Sequence, residues 1–358
     1  MDYFDETRAA VEWKTTREQV VAWCSRQMVP GAELSKGHWR IPSSSTRPLT
    51  EDFICQKTQP VAKPFLKWAG GKTQILDQIR ARYPDGLGRK LDRYAEPFVG
   101  SGAVLFDVLS RYHLREIYIG DTNRELITCY EMVRDRVDEV IKTLAKIEEK
   151  YLPAKALVRK DFYFEARTRF NRLKKESILD TELAALFIFL NHTCFNGLYR
   201  VNSEGNFNVP MGSYKNPNIC DYRNLTAVSK ALAGVTITQA EYSQSLDFIN
   251  SNCFVYVDPP YRPLSATSSF TSYSKNAFGD LQQAELARFV DTIVEKGAYV
   301  LVSNSDPKNT DPQNDFFDKL YFKHTIERIK AVRVINSVAT GRGAITELLI
   351  VGHKNSRP

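Results

Sequence analysis

The chain has 358 residues, of which 43% are hydrophobic, so it is long enough for one large α/β domain with insertions or for two to three domains. Its formal net charge of +7 is compatible with a polyanionic partner but does not by itself establish one. No run of 18 apolar residues is present, and the six cysteines include no Cys-x-x-Cys pair, which excludes a transmembrane helix and argues against a zinc site or a disulfide framework.

Residues 1–60 form an N-terminal extension with a linker rich in serine and proline, from Pro42 to Pro48. Its first residues are acidic and do not form a signal peptide. Segment 13–23, followed by segment 36–42, is similar to a shortened helix-turn-helix of the excisionase type. The residues between these segments are too few for a full recognition helix, so a small element packed on the main domain is the alternative interpretation.

From Val61 onward, short strand-like runs alternate with helical stretches, which is the pattern of a parallel α/β sheet. Four strands are predicted before the C-terminal region: Arg93–Glu96, Glu116–Asp121, Cys253–Val257 and 298–302. Near the end, 330–335 and 345–351 flank a Gly-Arg-Gly loop at 341–343 and predict a closing β-hairpin. We therefore expect an α/β protein whose parallel sheet is closed by a hairpin.

The alternation stops between Arg124 and about Ala240, where residues 125–190 are predicted to be mainly helical and highly charged. From Lys142 to Lys175 the chain has eleven lysines and arginines against four acidic residues. Such a run is most often a solvated helical surface. Beside a nucleotide-type site, however, it favours a face that contacts phosphates.

A glycine turn follows the first predicted strand, in the segment EPFVGSG from Glu96 to Gly102. Glycines at such a turn allow the backbone to approach a ligand, and the N-terminus of the next helix faces it. The second strand ends at Asp121, 21 residues after Gly100, where a carboxylate can accept both ribose hydroxyls of a nucleoside. Taken singly, the two features are also explained by an ordinary turn and by a helix N-cap; their order favours a nucleoside site.

The most specific signal is Asp258-Pro259-Pro260-Tyr261, directly after an apolar run. Two consecutive prolines donate no backbone N–H and fix an extended turn, so this corner presents acceptors without donors. The Asp258 carboxylate and the Pro259 carbonyl could both accept hydrogen bonds from one NH2 group, and Tyr261 could stack on the ring that carries it. An isolated corner of this kind can equally be a structural turn, but the upstream motifs favour chemistry on an exocyclic amine.

Such an amine is a poor nucleophile, because its lone pair is delocalised into the ring. Two acceptors draw its hydrogens out of planar conjugation and stabilise the charge that develops during attack on an aligned methyl group. The upstream Gly70-Gly71-Lys72, by contrast, lacks the spacing of a P-loop, so hydrolysis of a nucleoside triphosphate is rejected.

Together these motifs resemble the Dam-like, or D12 class, DNA adenine methyltransferases, from about Phe65 to about Val351. The matching segments are FLKWAGGK at 65–72, NGLYR at 196–200, FNVP at 207–210, DPPY at 258–261, LSAT at 264–267 and FTSY at 270–273. The resemblance implies a Rossmann-like class I methyltransferase sheet with a closing β-hairpin, plus an inserted, mainly helical target-recognition domain. The implied division is 61–124 and 230–358 for the catalytic domain and 125–229 for target recognition, with a DNA-reading hairpin at about 196–215.

The resemblance also implies an activity: transfer of a methyl group from S-adenosylmethionine to N6 of adenine in double-stranded DNA, after the base is flipped from the stack. The catalytic residues would be Asp258, Pro259, Pro260 and Tyr261. The implied cofactor-binding residues are Trp68, Ala69, Gly70, Lys72, Glu96, Pro97, Phe98, Gly100, Gly102, Asp121 and Asp258. The residues implied to contact DNA, with those of the hairpin reading base edges in the major groove, are Lys67, Asn196, Arg200, Asn202, Asn208, Pro210 and Tyr273. No metal site is expected.

Several alternatives stay open at this point. The hairpin tip carries Glu204 where a basic residue commonly precedes the glycine, so GATC is the default recognition sequence and a longer site containing GAT is the alternative. N4-cytosine methylation and sequence-specific DNA binding without catalysis are the competing functions. Asn304 is either a wall of the site or a helix cap, and His192 and Cys194 are interpreted as packing residues. We expect a cytoplasmic monomer or weak dimer of bacterial, phage or mobile-element origin, with or without a companion restriction enzyme.

Overall fold

The computed structural model describes residues 3–13, 17–25, 29, 31–35, 37–45, 60–262, 278–332 and 344–354. The chain divides into two compact units, Met1–Pro60 and Val61–Pro358. The segments at 264–267 and 270–273, including Tyr273, and the loop at 341–343 lie outside the described residues. Among the helices in the described ranges, none is long and apolar enough to cross a membrane.

The N-terminal unit contains two short helices and a three-stranded antiparallel sheet. These elements are α1 (Glu6–Glu12), α2 (Arg17–Ser25) and the sheet order β1 (Tyr3–Phe4), β3 (His38–Pro42), β2 (Glu33–Ser35). Trp13 closes α1, whereas Val20 and Trp23 belong to α2 and are buried in the core of this unit. Segment 13–23 therefore spans the end of one helix and most of a second. Two helices followed by a hairpin is the order of a winged helix-turn-helix, and a DNA-binding role for this unit stays a prediction.

The second unit is built on a seven-stranded sheet in the order β6-β5-β4-β7-β8-β10-β9. The strands are β4 (Arg93–Glu96), β5 (Glu116–Asp121), β6 (Thr236–Gln239), β7 (Cys253–Val257), β8 (Tyr299–Ser305), β9 (Thr325–Val332) and β10 (Ala344–Gly352). The five neighbouring strands β6, β5, β4, β7 and β8 are parallel, and β10 lies antiparallel to both β8 and β9. The predicted Rossmann-like sheet with a closing hairpin is confirmed.

Three strands differ from the sequence-based expectation. β8 extends to Ser305 and includes Asn304, so the helix-cap interpretation of Asn304 is wrong. β9 begins at Thr325 rather than Lys330, because its first residues already pair with the end of β10. β6 is not predicted at all. It is an edge strand of four residues, none of them buried, so it leaves no apolar run in the sequence.

Helices cover both faces of this sheet. Successive strand residues alternate between the faces, so Tyr94 and Phe254 belong to one core and Ala95 and Val255 to the other. The first core includes α3 (Leu76–Arg80) and α4 (Ala103–Arg111), and the second includes α10 (Asp280–Glu295) and α11 (Phe316–Leu320). The result is a three-layer arrangement whose strand ends are left open at one edge.

Between β5 and β6 the fully described chain forms five helices: α5 (Arg124–Asp135), α6 (Val137–Tyr151), α7 (Ala156–Glu176), α8 (Thr181–Thr193) and α9 (Tyr222–Ala231). Asn123, Asp180 and Asp221 cap α5, α8 and α9 with their side-chain oxygens. α8 is apolar around its circumference, and it packs against α5, α6 and α7. The helical character expected of 125–190 is present, and its assignment as a target-recognition domain stays a prediction.

Candidate active site and DNA interface

Polar side chains gather where four neighbouring parallel strands end. β4 ends at Glu96, β5 ends at Asp121, Asp258 directly follows β7, and Ser303 lies near the end of β8. The order β5-β4-β7-β8 makes these strands direct neighbours. Ligands of open α/β sheets bind outside the carboxyl ends of the strands, so this edge is the candidate active site.

The carboxylate of Asp258 is held between two donors. Lys72 Nζ lies 2.7 Å from Oδ2, and Ser303 Oγ donates to Oδ1 at 2.9 Å. Lys72 also donates to the Gly70 carbonyl at 2.6 Å, and its side chain is only 4% exposed, whereas Asp258 keeps 21% of its side-chain surface exposed. Tyr256 OH lies 2.9 Å from Ser303 Oγ. The carboxylate therefore has a fixed orientation and still faces a ligand-accessible space.

A buried amide pair holds the second proline of the corner. Gln283 Nε2 on α10 donates to the Pro260 carbonyl at 3.1 Å, and Asn304 Nδ2 donates to Gln283 Oε1 at 3.1 Å. Both amide side chains are fully buried. Sequence analysis missed Gln283, because a polar residue on an amphipathic helix is expected to face solvent. It had considered Asn304 as a wall of the site, and Asn304 instead supports the corner from behind.

Tyr261 is fixed at its hydroxyl end. The hydroxyl donates to Glu347 Oε2 on β10 at 2.9 Å, and the ring centre lies 4.9 Å from Lys72 Nζ. Burial, together with the nearby Asp258 and Glu347 carboxylates, raises the pKa of Tyr261 well above its ordinary value. Its hydroxyl thus remains a protonated donor, while Pro259 is buried beside it.

The glycine turn and Asp121 are joined directly. Gly100 adopts a φ of 47°, and its amide donates to Asp121 Oδ2 at 3.3 Å. The Asn123 amide donates to the other oxygen, Oδ1, at 2.9 Å. Burial raises the pKa of Asp121 to about 6, although these two backbone donors lower it. The two carboxylate oxygens together offer about four lone pairs, so Asp121 keeps acceptor capacity beyond its backbone donors.

Trp68 packs against the same turn and explains one of its glycines. A Cβ on Gly100 would lie 2.9 Å from Trp68 Cδ1, and a Cβ on Gly102, where φ is 71°, would lie 2.7 Å from Tyr130 OH. Tyr130 OH in turn donates to the Gly100 carbonyl at 3.0 Å. Trp68 also stacks on Tyr199, with ring centres 5.8 Å apart. The glycines therefore serve close packing as well as the turn.

The other residues predicted to bind the cofactor differ in exposure. Glu96 is buried, accepts a hydrogen bond from Tyr94 OH at 2.6 Å, and has a pKa that burial raises to about 8. Phe98 stacks on Tyr242 with ring centres 5.4 Å apart. Pro97, between Glu96 and Phe98 in the sequence, is buried. Ala69 and Gly70 are exposed in the turn before Lys72.

Asn191, which sequence analysis did not select, connects the N-terminal motif to the predicted hairpin. Its Oδ1 accepts from the Lys67 amide at 2.8 Å, and its Nδ2 donates to the carbonyls of Lys67 at 2.8 Å and Gly197 at 3.0 Å. Gly197 has a φ of 63°, and a Cβ there would lie 2.5 Å from Lys67 Cβ. Lys67 Nζ lies 4.2 Å from the ring centre of Tyr214. A buried amide in an otherwise apolar helix is the signal that could have identified Asn191.

The predicted hairpin is irregular and has a polar outer surface. Isolated antiparallel bridges join Val201 to Phe207 near the tip and Cys194 to Met211 at the base. Asn202 Oδ1 accepts from the amides of Glu204 at 3.1 Å and Asn206 at 2.9 Å. The oxygen of Asn202 thus shapes the tip, which leaves its NH2 group for other contacts.

Two side chains pair across this hairpin. Arg200 is exposed, and its Nε donates to Asn208 Oδ1 at 2.8 Å. Asn196 is exposed and has a φ of 55°. Pro210, two residues after Asn208, is also exposed. Lys67 and the hairpin residues are therefore brought into one region through Asn191, and Tyr273 lies outside the described residues.

Comparison with known proteins gives a consistent set of relatives. A family model described as D12 class N6 adenine-specific DNA methyltransferase matches residues 68–335. The chain is 45% identical to the Type II methyltransferase M.MjaIII of Methanocaldococcus jannaschii, over 81% of this chain and 99% of that protein. It is 35% identical to the DNA adenine methylase of Escherichia coli K12, over 80% and 94% of the two chains. It is 32% identical to the Type II methyltransferase M1.LlaDCHI of Lactococcus lactis subsp. cremoris, over 84% and 99%.

Proposed function

The chain belongs to the D12 class of N6 adenine-specific DNA methyltransferases, and from this we propose that it transfers a methyl group from S-adenosylmethionine to N6 of an adenine flipped out of double-stranded DNA. One observation carries the proposal. The five-residue segment from Trp68 to Lys72 contacts both halves of the site, since Trp68 packs on the Gly100 turn and Lys72 bonds to Asp258. One short segment thus joins the proposed amine-binding corner to the proposed nucleoside-binding turn, which supports their action on one pair of substrates.

The residues of the turn fit S-adenosylmethionine. Asp121 would accept hydrogen bonds from the ribose hydroxyls, and Gly100 and Gly102 would allow the backbone to approach. Trp68, Phe98, Lys72 and Glu96 would form the surrounding pocket. When bound, the cofactor supplies an electrophilic methyl group on a sulfonium.

The Asp-Pro-Pro-Tyr corner would hold the adenine. Asp258 and the Pro259 carbonyl accept hydrogen bonds from the N6 amine, which localises the nitrogen lone pair and stabilises the positive charge that develops on it. Tyr261 stacks on the base. Lys72 and Ser303 keep the Asp258 carboxylate oriented toward the amine, which lowers the cost of reorganisation during the reaction.

Methyl-tritiated S-adenosylmethionine tests the proposal directly. Purified protein should label duplex DNA, and nuclease digestion with mass analysis should yield N6-methyladenine. N4-methylcytosine would instead support the competing activity on cytosine. Absence of label in every adenine-containing duplex, with intact DNA binding, would support a binding protein without catalysis.

The hairpin at about 196–215 is the proposed DNA-reading element, with Arg200 as its main reader. Because Asn208 engages Arg200 Nε, the two terminal nitrogens of the guanidinium remain for a bidentate contact with a guanine. We expect Arg200→Ala to cost about 1–3 kcal/mol of discrimination at one position of the site. The measurement is the rate of methylation of duplexes that differ at single positions, with Arg223→Ala on α9 as an exposed control. An equal loss on all sequences would indicate a phosphate contact instead.

Asp121 should make cofactor binding depend on pH. Its folded-state pKa lies at about 6, above the usual value for an aspartate, so the carboxylate is ionised at pH 7 and becomes protonated as the pH falls through 6. A protonated carboxyl accepts less well from ribose hydroxyls, so affinity for S-adenosylmethionine should fall as the pH drops below 6, by at most about tenfold for each pH unit. Calorimetric titration between pH 7.5 and 5 measures this. Asp121→Asn should bind more weakly at pH 7 and lose that slope; a wild-type slope in the variant would assign the titration to another group.

GATC remains the default recognition sequence and a longer site containing GAT the alternative. The names of two relatives support a restriction–modification setting for this chain. Sequencing of N6-methyladenine in DNA from cells that express the protein decides the recognition sequence.

A further inference from the structure

One side of α7 contacts the backbone of the predicted DNA-reading hairpin at successive points. Five side chains of this helix make these hydrogen bonds: Arg159, Tyr163, Arg167, Asn171 and Lys174. They are four, four, four and three residues apart, a spacing that keeps side chains on one side of an α-helix. These contacts are to the main chain of the hairpin. Lys174 also donates to the hydroxyl of Tyr199, which is buried, so the exposed side chains that could read DNA are not used.

The hairpin residues contacted by α7 follow one another in order along the hairpin. Arg159 donates to the Lys215 carbonyl at 2.8 Å, Tyr163 and Arg167 donate to the Val209 carbonyl at 2.9 and 3.3 Å, and Lys174 donates to the Gly205 carbonyl at 3.2 Å. As the helix advances, the contacted hairpin residue moves back toward the tip. α7 therefore lies along the returning arm of the hairpin as an antiparallel partner.

Asn171 makes the most specific of these contacts. Its Nδ2 donates to the Phe207 carbonyl at 3.0 Å, and its Oδ1 accepts from the Phe207 amide at 2.8 Å. Both backbone groups of one residue are thus occupied by one side chain, as a neighbouring strand would occupy them. Phe207 directly precedes Asn208, the partner of Arg200.

The hairpin itself has no continuous strand ladder. One bridge joins Val201 to Phe207 near the tip, a second joins Cys194 to Met211 at the base, and a few backbone hydrogen bonds accompany each. A two-stranded hairpin alone is marginally stable in water, and a slip of one residue would turn every side chain to the opposite face. The contacts from α7 add a constraint on register along the returning arm, between the paired base and the tip.

We propose that α7 sets the DNA-sequence specificity of this methyltransferase without touching the bases, because Asn171 and its neighbours fix the register that presents Arg200 and Asn208 to the major groove. The proposal rests on the proposed function of the hairpin. The same contacts also give a structural role to four of the basic residues between 142 and 175. Arg159, Arg167 and Lys174 hold the hairpin, and Arg169 pairs with Glu182, so these four do not form a phosphate-contacting face.

The test is genome-wide sequencing of N6-methyladenine in cells that lack other adenine methylation and express wild-type protein, Asn171→Ala or Thr168→Ala, followed by rates on purified protein. Thr168 is exposed on the same helix and serves as the matched control. We expect Asn171→Ala to lower the ratio of methylation at the main motif to methylation at single-base variants by at least about tenfold. Thr168→Ala should leave the ratio unchanged, and Asn171→Asp, which keeps the acceptor and loses the donor, should fall between.

Three outcomes separate the possible failures. A proportional loss at all sites in Asn171→Ala, with an unchanged ratio, would overturn the proposal and make α7 a folding support only. If Arg200→Ala keeps the wild-type ratio, the hairpin assignment itself fails, independently of α7. If Asn171→Ala does not fold, Arg167→Ala and Arg169→Ala test the proposal instead, since only Arg167→Ala removes a hairpin contact. A lower methylation ratio in Arg167→Ala alone would support the proposal. Equal ratios in the two variants would overturn it.

Discussion

Replacement of Asp258 by alanine should reduce methyl transfer to adenine by about 10²- to 10³-fold, which corresponds to about 3–4 kcal/mol of transition-state stabilisation. The reason is the loss of the carboxylate acceptor for the N6 amine, whose charge rises only as the new bond forms. Among the described residues, the side-chain hydrogen bonds of Asp258 are to Lys72 and Ser303, and neither residue belongs to the predicted hairpin. DNA binding should therefore remain close to that of the wild-type protein.

The measurement is the single-turnover rate at saturating duplex and S-adenosylmethionine, with DNA affinity from fluorescence anisotropy. Asp311→Ala, at an exposed loop carboxylate, is the matched control and should keep the wild-type rate. Full activity in Asp258→Ala would overturn the catalytic assignment of the whole corner. Equal losses of DNA affinity and rate would instead indicate that the corner serves substrate binding.

Replacement of Lys72 by methionine should be the most damaging change outside the corner. Its side chain is 4% exposed, and its ammonium bonds to Asp258 Oδ2 and to the Gly70 carbonyl. Removing one partner of a buried ion pair leaves the other charge uncompensated, at a cost of about 3–5 kcal/mol. Because Asp258 keeps part of its surface in contact with solvent, we expect a loss near the lower end of that range in the free energy of unfolding.

The chain offers a matched ion pair for comparison. Lys323 Nζ also lies 2.7 Å from an aspartate oxygen, on Asp291, but the Lys323 side chain is 52% exposed, compared with 4% for Lys72. Exposed pairs contribute little, so Lys323→Met should leave urea unfolding nearly unchanged. The rate of methyl transfer at saturating cofactor distinguishes two roles for Lys72. A low rate in Lys72→Met supports its action through Asp258, whereas a normal rate with weak cofactor binding would assign Lys72 to the cofactor alone.

The sequence by itself determined the bounds of three central strands and the order of the motifs. β4, β5 and β7 have the predicted bounds, because each is a short strand-like run that ends at a glycine turn, a carboxylate or a proline corner. The same turns place Gly100, Asp121 and Asp258 at strand ends, and the parallel order of the sheet then brings those ends to one edge. Local composition is sufficient for these features, since they depend on backbone geometry and burial over a few residues.

The tertiary structure decided which side chains pair. Lys72 and Asp258 are 186 residues apart, Asn191 and Lys67 are 124 apart, and Asn171 and Phe207 are 36 apart. Hydrophobic periodicity reports whether a position is buried but carries no information about its partner. For this reason Gln283 and Asn171 resemble ordinary surface residues in the sequence, and the basic run of α7 resembles a phosphate-binding face. Only the packing of helices on the sheet and the hairpin shows that these polar groups satisfy buried backbone and side-chain partners.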